Sequence, residues 1–115
     1  MMVRDGAAGA GRGDRVPPSV LDIGRRGRRD AARGRAAIEF GADAEAALDL
    51  LVLLELAWHD SHGDVTPPVR VVEDVWTVAD GNLGRLASAA RLAVIDRRDL
   101  RLAAEDVRSR SAERA

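Results

Sequence analysis

The sequence predicts an all-α fold: a small bundle of three to four short antiparallel helices behind a disordered N-terminal tail. Three observations carry that expectation. From Asp43 onward apolar residues recur at helical spacing, without the sustained alternation that a half-buried strand requires. Helix punctuation in the form of Asp, Thr-Pro, Gly and Asn stands between the periodic stretches. Charge divides the chain, since residues 1–36 hold nine arginines against four aspartates, a net of +5, whereas residues 37–115 hold nine arginines against fifteen acids, a net of −6. The expected division is therefore a tail over 1–36 and a small helical domain over 37–115.

The tail is rich in Gly, Ala and Arg, contains Pro17-Pro18, and has no apolar periodicity beyond "VLDI" at Val20 to Ile23. It is most simply read as a solvated extension. The first helix then follows Phe40-Gly41, with Asp43 as N-cap and "AEAALDLLVLLELAWHD" as its body. Ala46, Leu50, Leu53, Leu54, Ala57 and Trp58 make one broad apolar face. Leu48, Val52 and Leu56, at i, i+4 and i+8, make a second ridge among Glu45, Asp49 and Glu55.

"TPPVRVVEDVWTVADGN" is rich in β-branched residues, yet helix fits it better than strand. As a helix, Val69, Val71, Val72, Val75, Trp76, Val78 and Ala79 gather on one half of the wheel; as a strand, both faces mix valines with charges. Thr66 is the expected N-cap, Pro67 the first helical residue and Gly81 the stop. Asn82 caps the next helix, whose inner face is Leu83, Leu86, Ala87, Ala90, Ala93 and Val94. The following stripe, Leu100, Ala103, Ala104 and Val107, is rotated from it by about a quarter turn at about 100° per residue, which places a break or kink at Asp96–Asp99, with one continuous curved helix as the alternative. The last residues, "RSRSAERA", are expected to fray. Trp58 and Trp76 should share one core with Leu50, Leu54, Val72, Leu83 and Leu86.

Composition narrows the chemistry. All 18 basic residues are arginine, and cysteine and tyrosine are absent, which excludes Schiff-base lysines, thiol nucleophiles and zinc-thiolate sites. Aromatic residues make up only 3%, so a core of Ala, Val and Leu leaves a small domain dependent on further burial, and self-association is expected. No apolar signal segment opens the chain, and the longest apolar run, "LLVLL" from Leu50 to Leu54, is far short of the ~20 residues that span a bilayer. The expectation is a cytoplasmic protein without a membrane partner.

Three functional readings follow. The leading one is protein interaction, as a homo-oligomer or small accessory subunit burying the ridge Leu48, Val52 and Leu56, with Glu45, Asp49 and Glu55 as a polar rim. The second is nucleic-acid binding. Arg25, Arg26, Arg28, Arg29, Arg33 and Arg35 could neutralise phosphates, and helix-"DGN"-helix outlines a helix-turn-helix with Ala87 and Ala90 inward and Arg85 and Arg91 toward a groove. The third is a metal-dependent enzyme at "WHDSHGD", where His59, His62, Asp60 and Asp64 offer ligand types within six residues. A plain helix ending explains that stretch as well: histidines suit a C-terminal dipole, Gly63 turns the chain and Asp64 leads into the next helix. No catalytic residue and no cofactor is assigned, and an enzyme is the less favoured class.

Overall fold

The structure, a computed structural model, describes residues 20–114, with side chains described from Ile23. The described residues are helical throughout, with no strand: α1 is Val20–Phe40, α2 Ala44–His62, α3 Val69–Ala79, α4 Leu83–Ile95 and α5 Arg97–Arg114. A single 3₁₀ turn, Gly41–Asp43, joins α1 to α2. α1 packs on α2, α2 on α4, and α3 on both α4 and α5. No helix among the described residues is long and apolar enough to cross a membrane.

The largest departure from the sequence expectation is α1. Residues 20–36, read as part of a disordered tail, form a helix that continues to Phe40; the rest of that tail, residues 1–19, lies outside the described residues. Low apolar content had argued against order, but this helix needs little apolar surface. Among its described side chains Ala36 and Phe40 are buried and Ala32 is half-buried, while arginines make ionic contacts to α2 and α3. After residue 43 four helices stand, within the three to four expected, and α1 is a fifth among the described residues.

The joints follow local chemistry. α2 ends at Gly63 in the left-handed region, φ +81°, whose N–H donates to the His59 carbonyl at 2.8 Å. α3 begins at Val69 with Pro68 as its N-cap, two residues later than the sequence suggested. Pro67 precedes another proline and is thereby pushed out of helical conformation, so it cannot open the helix. Asn82 caps α4 as expected, its Oδ1 accepting from the Arg85 N–H at 2.9 Å. Asp96 breaks α4 from α5 at φ −155° and ψ 81°, and its Oδ1 accepts from the Asp99 N–H at 3.1 Å. The C-terminal stretch, expected to fray, is helical as far as Arg114, and α5 carries the i,i+4 pairs Arg101–Glu105 and Arg110–Asp106.

Both tryptophans lie in one core with Leu54 and Leu86, and Leu50, Val72 and Leu83 pack against it half-buried. Two faces are rotated from expectation. On α3, Val69 is 78% exposed while Asp74 is only 5% exposed and accepts from Arg108 of α5 at 2.8 Å. On α4, Ala89 rather than Ala87 is buried with Leu86 and Ala93. Alanines lie all round that helix, so the sequence pattern alone cannot choose between neighbouring stripes.

Candidate functional site

The sequence singled out two charged sets without relating them, the acids around the α2 ridge and the arginines before residue 36. In the fold they meet each other. The Arg28 Nε and Nη2 donate to both oxygens of Glu55 at 2.8 Å each. Arg25 Nε lies 3.6 Å from the same carboxylate. Arg29 donates to Asp49 at 2.7 Å and to Glu45 at 2.9 Å, and Arg33 also pairs with Glu45. Nearer its C-terminal end α1 is tied to α3, where Arg35 donates to Glu73 at 2.8 Å and lies 4.3 Å from the Trp76 ring centroid.

These contacts fix the protonation of the arginines. A fork of hydrogen bonds to Glu55 holds the Arg28 guanidinium above its ordinary value, and the bond to Asp49 does the same for Arg29. Burial lowers that of Arg35, but its bonds to Glu73 and Glu39 outweigh the burial and the net shift is upward.

The predicted interface ridge is largely taken up within the chain. Leu48 is 1% exposed, which corrects its assignment to a free surface, and Val52 is half-buried; Leu56 alone of the three stays open, at 41%. The apolar surface that does face outward lies one stripe further round α2. Leu53 is 57% exposed and Ile95 of α4 is 62% exposed. Between the two helices runs a groove lined by Leu50, Leu53, Ala57, Ala87, Ala90 and Val94, with Arg91 at its side. The sequence had placed Leu50, Leu53 and Ala57 on the core-facing side of α2. It had likewise turned Ala87 and Ala90 inward, and the structure corrects this by leaving Ala87 exposed and Ala90 half-buried.

The remaining candidates are dispersed or engaged. Arg26 of α1 is exposed, as are Arg85 and Arg91 on α4. α2 continues through "WHDSH", so both histidines sit on its last turn. The His62 ring stacks on Trp58 at 4.1 Å between centroids, Asp64 accepts from the Trp58 indole N–H at 3.4 Å, and His59 Nδ1 lies 3.2 Å from the Asp64 backbone oxygen. Asp60 is exposed. Among the described residues no group of three or more His, Cys, Asp or Glu side chains is placed to hold a metal ion.

Sequence reasoning missed the α2/α4 groove and the Asp74–Arg108 pair. For the α1–α2 pairing one signal was present, because Arg25, Arg29 and Arg33 recur every four residues, as do Glu45 and Asp49. Comparison with family models, with curated proteins and with solved structures gives no match to this chain.

Proposed function

We propose that the chain is a protein-interaction module that self-associates through the α2/α4 groove. The observation that supports this reading is the strip of exposed apolar side chains formed by Leu53 and Ile95 on the two sides of the groove, with Leu56 exposed one turn along α2 from Leu53. Covering such a strip is favourable by about 25 cal/mol per Å² of apolar surface, and contiguous apolar patches of this kind mark contact surfaces. A second copy is the occupant, because a two-fold contact must be self-complementary. Asp60 shares the outward face of α2 with Leu53, seven residues away, while Arg91 borders the groove from α4. A two-fold contact that set the acid of one copy against the arginine of the other would be self-complementary in charge.

The interaction reading from the sequence is thus kept, with its surface moved. Glu45, Asp49 and Glu55 no longer form its rim, since they hold α1. The antiparallel setting of α1 on α2 belongs to the same reading and is supported by the order of the ion pairs: Arg28 with Glu55, Arg29 with Asp49, Arg33 with Glu45.

The absence of cysteine makes the test direct, because an introduced thiol is unique. Leu53→Cys is expected to give a covalent dimer on mild oxidation, whereas Ile38→Cys, 86% exposed on α1, is expected to stay monomeric on a denaturing gel. Equal cross-linking at both positions, or none at Leu53, contradicts association through this face.

A further inference from the structure

Beneath α1 lies a cavity of about 230 Å³, walled by Ala32, Leu48, Leu51, Val52, Val72 and Trp76. Its origin is the unusual attachment of α1. At one end the helix touches the body closely, with the Phe40 and Trp76 ring centroids 5.9 Å apart. At the other end it is held by the Arg28–Glu55 fork. Between these two points the only apolar side chain that α1 brings to the cavity wall is that of Ala32, which leaves space that side chains do not fill. For scale, an apolar cavity of about 150 Å³ is enough to stay dry and take up benzene.

We infer that this cavity is a binding site for one small, neutral, apolar molecule, aromatic or short-chain aliphatic, with α1 as its roof. The walls decide the apolar character and the rim decides the neutrality. Among the charged groups at the rim, Glu55 accepts both Arg28 bonds, Arg29 is bound to Asp49 and Glu45, and Glu73 accepts from Arg35. Arg25 likewise has partners, the Glu55 carboxylate among them. A charged ligand would have to leave water for an apolar wall while the rim groups already hold one another, and burying an unpaired charge is costly. A neutral one gains contact with the walls and disturbs none of them. This inference concerns the opposite flank of α2 from the α2/α4 groove and does not rest on self-association.

The probe is N-phenyl-1-naphthylamine, a neutral fluorophore that brightens in apolar surroundings, titrated into the full-length protein. Saturable brightening with one probe per chain is expected. Val52→Trp, which grows a side chain into the space from α2, should weaken binding by about tenfold or more, and Ala32→Leu, filling it from α1, should do the same if the first variant fails to fold. Ala90→Trp in the α2/α4 groove should leave the probe affinity unchanged. Displacement of the probe by 1-octanol, with octanoate no better, is the further expected result. The inference is overturned if the probe does not bind, if Ala90→Trp removes binding that the cavity variants keep, or if octanoate displaces the probe far better than octanol in a salt-sensitive way.

Discussion

The two flanks of α2 face different partners through different chemistry. Toward α1 the helix presents Glu45, Asp49 and Glu55, each of which meets an arginine of the same chain. Toward α4 it presents leucines and alanines that are covered at Leu54 and open at Leu53. Pairing satisfies a charge one partner at a time, so a helix as polar as α1 can complete the first flank. Apolar surface is satisfied only by area, and α4 is too narrow, being lined by Ala87 and Ala90, to cover the second. The contrast explains why Arg28, Arg29 and Arg33 are engaged by α2 while Leu53 stays exposed.

Two substitutions, one under the apolar flank of α2 and one beside the end of α1, sharpen that contrast. Leu54→Ala, at a side chain only 3% exposed, should cost about 2–5 kcal/mol in urea unfolding, because the cavity left between α2 and the core cannot close fully. Gly81→Ala tests where α1 ends. Its φ of +75° disfavours a side chain, and a Cβ there would lie 2.6 Å from the Glu39 carbonyl oxygen, so a loss of about 1–3 kcal/mol is expected together with loosening of the C-terminal end of α1. An unchanged unfolding midpoint would mean that α1 does not sit against the α3–α4 turn.

Glu55→Gln should have the smallest effect. The pair it breaks is partly exposed on the arginine side, so no more than about 1 kcal/mol is expected. Its signature is the salt response: from about 0.05 M to 1 M NaCl, amide exchange in residues 24–33 should accelerate in the wild type and less so in the variant. The pH response has a definite sign. Because Arg28, Arg29 and Arg35 titrate above their ordinary value when folded, the stability they supply is fully present below the unfolded arginine pKa and is lost only as pH rises through the higher folded one. Exchange in α1, corrected for intrinsic rates, should therefore be flat from about pH 8 to about pH 10. A loss of protection in that window would contradict arginine as the fastening group.

Much of the fold was legible where one residue type governs local geometry. Asn82 capped its helix, Asp96 broke the chain where two stripes fell out of phase, and the valines of α3 read as helix once both periods were compared. α1 was not legible, because its inward face is built from arginines whose partners lie as many as 38 residues away in sequence. The same Arg/Gly-rich composition describes an unfolded segment and a helix with an acidic partner. α4 was misplaced by one stripe because alanine fits every side of it. For the site, the sequence supplied both halves of the α1–α2 pairing but not their register, which depends on tertiary placement. It also set Leu53 on the same broad apolar face as Leu54, since a leucine at helical spacing carries no mark of which neighbour is too small to cover it.

The most direct test of self-association is the mass of the full-length protein by light scattering after size exclusion, in 0.1 M and 1 M NaCl (roughly the range over which the screening length falls from about 10 to 3 Å), beside a Leu53→Glu variant. Burial of the apolar flank predicts a dimer for the wild type at both salt concentrations and a folded monomer for the variant. A wild-type protein that is monomeric at every concentration, or a dimer that Leu53→Glu leaves intact, would contradict it.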